Sequence, residues 1–306
     1  MAFDIRRLEG VMVPLVTPLN EKEELDEKAL ETLIEHVMEA KVHSLFVLGN
    51  TGEFASLTGD VKEAMMRKVK EIVDGKMPVF VNVSDVSTKR AIKGAKIAES
   101  VGCNAIVVCP PYFYHLTQDS LIEHYERIAQ AVSLPVVLYN IPQYIISELN
   151  IETVKKLAKD KRVIGIKDAS GNTSYIENLA IYFKNAPFRI YQGDERNIEA
   201  ALMTGANGFS ASLSNLYPQL FVDLWNAFGE DDGLKAHDLQ ETIRSFGNIY
   251  GLTRNKIQAG LKYALSLKGI CKPIVSEPLP ELDKFEKFEI ERILQQYDVK
   301  CAHKRE

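Results

Sequence analysis

Short apolar runs recur along this chain, each followed by a segment of helical periodicity, and that alternation restricts the fold more than any other feature. The runs are VMVPLVTP from Val11, SLFVLG from Ser44, MPVFVNV from Met77, AIVVCPP from Ala105, PVVLYN from Pro135, VIGIKD from Val163, FRIYQGD from Phe188 and GFSASLSN from Gly208. Most are rich in β-branched and aromatic residues and too short for helices. Their near-continuous apolarity suits parallel strands covered on both faces. From Asp26, Leu30, Leu33, Ile34, Val37 and Met38 fall on one helical stripe. From Asp60, Met65, Val69, Ile72 and Val73 repeat it up to a stop at Gly75. Ser87 supplies an N-cap and Gly102 a stop for the next helix, and further helices are predicted from near Gln118, Ile151, Thr173 and Glu195.

Eight such βα units predict an α/β fold, a closed (β/α)8 TIM barrel. An open doubly wound sheet is the competing topology, but it normally carries a glycine-rich phosphate turn after its first strand, and TPLNEKEEL is not one. Strand-like runs cease after about Tyr217. The barrel is therefore assigned to residues 1–225, and residues 226–306 to a C-terminal helical region packed on it, with KPIVSEPLPEL as a proline-rich linker.

Composition narrows the function. A net charge of −5 with scattered basic residues argues against nucleic acid or an anionic membrane as partner. No apolar run approaches the roughly 18 residues needed to span a bilayer, and MAFDIRRLEG lacks the apolar core of a signal peptide. Cys103, Cys109, Cys271 and Cys301 form no C-x-x-C pair and no zinc-like grouping with histidines. Packed, reduced thiols in a cytoplasm are expected. No motif implies a nucleotide, flavin, pyridoxal phosphate or metal, so no cofactor is expected.

In a (β/α)8 barrel, chemistry sits at the C-terminal ends of the strands. Lys167 ends the sixth run. Desolvation there would favour its neutral amine, which can attack a carbonyl and form an imine; the alternative is a rim lysine paired with Asp168. Tyr139 ends the fifth run, placed either to relay the protons of imine formation or simply to keep its hydroxyl at the wet edge of the core. In LGNTGEFASLT, Asn50 and Thr51 lie between Gly49 and Gly52, a composition that lets N–H groups converge on a carboxylate or merely makes a turn, with Thr58 or Asp60 capping the next helix. Tyr112, Phe113, Tyr114 and His115 follow the fourth run, where aromatics wall a pocket or fill an interface.

GNTGE, YNIP and GIKDASG stand in order at the ends of the second, fifth and sixth strands. In this the chain resembles the dihydrodipicolinate synthase and N-acetylneuraminate lyase superfamily of pyruvate-dependent class I aldolases, from about Gly10 to Ala302. The resemblance implies a Schiff base on Lys167, proton shuttling by Tyr139, a pyruvate-carboxylate cradle at Asn50 and Thr51, no cofactor, and a homotetramer or homodimer. Three positions depart from the synthase pattern. Asn50 replaces the first of two loop threonines, and Phe113 replaces a tyrosine donated across a subunit interface, with Tyr112 and Tyr114 beside it. Tyr144 replaces the arginine that holds the aldehyde's carboxylate, and Ile145-Ile146 follows it.

The expected substrates are therefore pyruvate, or a 2-keto acid such as a 2-keto-3-deoxy sugar acid, and an aldehyde. Tyr112, Tyr144 and Ser210, with Asn82 and Ser212, are candidates to bind hydroxyls, unless Arg196 or Arg254 reaches the site and restores a cation. The alternatives are dihydrodipicolinate (4-hydroxy-tetrahydrodipicolinate) synthesis, a 2-keto acid dehydratase or decarboxylase using the same imine, and a non-catalytic ligand-binding homologue.

Overall fold

The computed structural model describes residues 8–253 and 256–303. Strands β1 (Gly10–Pro14), β2 (Ser44–Val47), β3 (Val79–Asn82), β4 (Ala105–Val108), β5 (Val136–Asn140), β6 (Val163–Asp168), β7 (Arg189–Gln192) and β8 (Gly208–Phe209) close into one parallel barrel in chain order. Helices α1 (Glu27–Glu39), α2 (Gly59–Val73), α3 (Thr88–Val101), α4 (Gln118–Ala131), α5 (Ile151–Leu157), α6 (Thr173–Phe183), α7 (Ile198–Met203) and α8 (Pro218–Gly229) follow the strands. The chain continues through α9 (Gly233–Leu252), α10 (Ile257–Leu267) and α11 (Lys284–His303). The expected (β/α)8 barrel with C-terminal helices is the fold.

The helices form where polar caps and apolar stripes coincide. Asp26 and Thr58 accept hydrogen bonds from Ala29 and Val61 N–H at the starts of α1 and α2. Leu30, Leu33, Ile34 and Val37 turn the buried face of α1 inward, each such side chain contributing roughly 1.5–3 kcal/mol. Ser87 is the N-cap of α3 as expected, by position only. Its side chain makes no capping bond to α3; instead Ser87 N–H donates to Asp85 Oδ1 at 3.0 Å, an Asx-type turn that organises the approach to the helix.

One irregularity sets the site. Val136 pairs with Val163, but Val137 pairs with Gly165, so β6 carries one extra residue. A Cβ on Gly165 would come within 2.5 Å of Arg189 O, so only glycine fits this close approach. Beyond the shift Tyr139 lies opposite Lys167 and Lys167 opposite Tyr191; without it, Tyr139 would face Ile166.

β8 is shorter than its sequence run. The chain leaves the sheet after Phe209 and turns into a 3-10 helix at Ser212–Asn215, held by Asn215, whose Nδ2 donates to Pro14 O and Ser212 O. Ser210 therefore sits just past the strand and Ser212 opens the turn. The segment from Glu195 likewise begins as a 3-10 turn, Glu195–Asn197, before α7.

Candidate active site

Lys167 is 5% exposed, and its Nζ lies 4.6 Å from the centre of the Phe46 ring and 4.7 Å from that of Tyr139. The two rings meet edge to face at 5.9 Å, making an apolar slot for the amine. A Cβ on Gly49 would fall 2.6 Å from the Phe46 ring, so glycine at the start of the loop lets that ring lie where it does. Burial pushes the Lys167 amine down to about 7 from its ordinary 10.5, opposed only by the charge of Glu195.

Among the described residues Lys167 has no counterion. Asp168, the partner a rim lysine would have taken, points the other way, as strand alternation requires. It is 0% exposed, receives Asn140 Nδ2 at 2.8 Å and Ser170 Oγ at 2.7 Å, and is raised to about 6 by burial against these bonds. Tyr139 is buried, and desolvation, followed by Cys109 and Tyr144, holds its hydroxyl well above the usual phenol range.

The loop after β2 starts against the Phe46 wall of this slot. The N–H groups of Gly52 and Glu53 turn back to Gly49 O and Asn50 O at 3.0 and 3.1 Å, whereas those of Asn50 and Thr51 find no acceptor among the described residues. Thr51 Oγ1 shares a 2.8 Å hydrogen bond with Ser212 Oγ, joining the loop to the turn after β8. The loop is bracketed by Leu48 and Glu53, both non-glycine residues in the left-handed region at φ 59° and 63°.

Among the buried side-chain polar atoms with no hydrogen-bond partner among the described residues are Asn82 Nδ2, at the end of β3, and Ser210 Oγ, just past β8. Such atoms are costly to leave unpaired unless something else meets them. Tyr112 is half-buried, with its ring edge-on to Phe54 at 5.8 Å. Tyr144 is 50% exposed, as are, more fully, Phe113 and Tyr114, whose rings pair at 4.9 Å; His115 is at the surface. Arg196 is engaged by Asp194, with Nε and Nη2 donating at 2.9 and 2.8 Å, while Arg254 lies outside the described residues. Among the described residues no three His, Cys, Asp or Glu side chains gather as a metal's ligands would, and no helix is long and apolar enough to cross a membrane.

Sequence reasoning missed Phe46, Gln192 and Glu195. Phe46 looks like any core aromatic, and only its sharing a strand face with Ser44 hints that it points into the barrel. Gln192 ends β7 fully enclosed, accepting from Asp194 N–H at 2.8 Å, and Glu195 accepts from Leu213 N–H at 3.1 Å.

The model of the dihydrodipicolinate synthetase family matches residues 7–297. The chain belongs to that family. Among its relatives, an uncharacterised DapA-like lyase of Halobacterium salinarum is 33% identical, covering 90% of each chain. A 4-hydroxy-tetrahydrodipicolinate synthase of Alkaliphilus oremlandii is also 33% identical, over 90% of this chain and 93% of that one. Among solved structures, dihydrodipicolinate synthase from Bacteroides thetaiotaomicron superposes with a TM-score of 0.90 at 35% identity, covering 97% of this chain and all of that one. YagE of E. coli, a family protein solved with pyruvate, gives 0.90 at 29% identity over 94% and 98%. As a member of the dihydrodipicolinate synthetase family the protein is a carbon–carbon lyase of the aldolase type.

Proposed function

We propose that the protein forms a Schiff base between Lys167 and pyruvate, or the pyruvyl end of a 2-keto acid, and makes or breaks the adjacent carbon–carbon bond against an aldehyde. The observation that carries this is the Lys167 amine, buried on Phe46 and Tyr139 with no counterion among the described residues and lowered to about 7. Its nitrogen attacks the keto carbon, the keto oxygen leaves as water, and Tyr139 relays the protons of both steps. The Asn50 and Thr51 N–H groups, with the Thr51 hydroxyl, receive the substrate carboxylate. YagE, at the same fold and 29% identity, is a family protein that binds pyruvate.

The aldehyde partner is proposed to be hydroxylated rather than aspartate semialdehyde. Tyr144 offers a phenol where a synthase needs a cation, Arg196 is already bidentate on Asp194, and Ser210 and Asn82 present unpartnered polar atoms suited to hydroxyls. A carboxylate desolvated without its charge-assisted partner costs about 1.5–3 kcal/mol, at least about tenfold in rate constant. Assembly as a homotetramer or homodimer would cover the exposed Phe113, Tyr114 and Tyr144.

Trapping with pyruvate and borohydride followed by intact mass tests the imine: one adduct per chain is expected, and no adduct at saturating pyruvate removes the proposal. A panel of aldehydes with pyruvate as donor tests the acceptor. A hydroxyaldehyde should lead by kcat/KM; aspartate semialdehyde as the best acceptor would restore the synthase reading.

A further inference from the structure

Outside the slot, the most elaborate buried polar cluster joins the β2–α2 loop to the C-terminal helices. Glu53 and Lys262 form an ion pair with both side chains fully buried. Lys262 Nζ also donates to Ile274 O at 2.6 Å, and Glu53 Oε2 receives Ser276 N–H at 2.7 Å and Ser276 Oγ at 2.8 Å. From the same face of α10, Gln258 Nε2 donates to Asn50 O at 2.9 Å, directly on the peptide that precedes Thr51. Two residues before Gln258, at the N-cap of α10, Lys256 bonds Glu281 O at 2.9 Å and pairs with Glu286 at 2.8 Å, tying α10 to the start of α11.

We propose that Glu53 and Lys262, with Gln258, are positioning residues: the C-terminal helices act through them as a clamp that holds the Asn50–Thr51 loop in its carboxylate-receiving shape. The inference rests on the Lys167 imine reading for its substrate but on separate residues for its geometry. The loop has reason to need a clamp. Glu53 sits at φ 63°, unfavourable for a residue with a side chain, and persists only if its surroundings over-determine it. A buried carboxylate and ammonium fixed to each other and to backbone groups supply that determination, and their loss leaves a buried charge unpaired. The bond from Gln258 fixes the carbonyl of the Asn50–Thr51 peptide, and with it the orientation of the Thr51 N–H that the proposed function assigns to the substrate carboxylate. Packing alone would require neither the buried charges nor a donor on Asn50 O.

The test uses the full-length protein as wild type, Glu53→Gln, Lys262→Met and Gln258→Leu, the last keeping the ion pair so that a folded variant is available. Two measurements are made on each: the pyruvate concentration giving half-maximal borohydride trapping, and amide hydrogen exchange across residues 49–57 without ligand. The clamp predicts that half-saturation rises by roughly two- to tenfold in Gln258→Leu, the worth of one hydrogen bond. In the ion-pair variants that fold it should rise by roughly ten- to a hundredfold, the scale for a positioning group displaced by about an ångström. The trapping rate at saturating pyruvate should stay within about threefold of wild type, a split that general destabilisation does not produce. Exchange at Gly52, Glu53 and Phe54 should quicken by at least about tenfold while the barrel strands stay protected. Unchanged half-saturation and unchanged loop exchange in Gln258→Leu and every folded ion-pair variant would overturn the clamp. If wild type itself fails to trap, the imine reading falls, and the exchange arm alone decides the clamp.

Discussion

Lys167 and Lys262 are both buried at one end of this barrel, one on strand β6 and one on helix α10, and their surroundings could hardly differ more. Lys262 is met by the Glu53 carboxylate and the Ile274 carbonyl. Lys167 is met by the faces of two aromatic rings. Desolvation lowers both amines, but at Lys262 Glu53 opposes it by charge and hydrogen bonding, whereas at Lys167 only the more distant charge of Glu195 does. Burial therefore does not by itself make a nucleophile. A buried lysine given a carboxylate is a structural tie; one given only rings keeps a lone pair available near neutral pH.

The sharpest way to break this contrast is to exchange chemistry at one lysine only. Lys167→Arg should abolish pyruvate trapping and turnover altogether, because a guanidinium stays protonated and is no nucleophile; residual trapping in a mass spectrum would mean that another lysine carries the imine. Next in size, Tyr139→Phe should slow turnover by roughly 10²–10⁴, the worth of a placed acid–base group, with the fold intact by circular dichroism. Near-normal turnover would hand the proton to Tyr112 or Tyr144. Lys262→Met should cost about 3–5 kcal/mol in urea unfolding, since Glu53 stays buried without its partner. Lys167→Met should do the reverse and stabilise the protein, by roughly 2–5 kcal/mol at pH 6. The sign follows from the shift: between about 7 and the ordinary 10.5 the unfolded chain holds a proton that folded Lys167 does not, so wild-type stability rises with pH through that window. The advantage of Lys167→Met should accordingly shrink as pH is raised across it.

Much of the first lysine's setting was legible in the sequence, and little of the second's. Lys167 and Tyr139 each end a β-branched run, and alternation along parallel strands places such residues at the barrel mouth. The register shift that brings them opposite each other leaves no mark except Gly165, which reads as one more small residue in a strand. The slot itself depends on Phe46, whose composition is that of any core residue. Glu53 and Lys262 lie 209 positions apart, on a loop and on an amphipathic helix where charged residues are ordinarily solvated. Only the packing of α10 over the β2–α2 loop makes them a pair. Ser87 does stand at the N-cap of α3, but its hydroxyl makes no capping bond, a side-chain orientation that a composition rule does not weigh.

Among the described residues Lys167 is the buried amine lowered to about 7 with no carboxylate tied to it, and so the one set up as a nucleophile. The most direct test is reductive trapping with pyruvate and cyanoborohydride across a pH series, with every lysine resolved by peptide mass. A single adduct on Lys167 is expected, with a trapping rate that climbs to half its plateau near pH 7, and no adduct on Lys262 at any pH. An adduct centred on a different lysine, or a Lys167 rate still climbing towards the ordinary lysine value of 10.5, would contradict it.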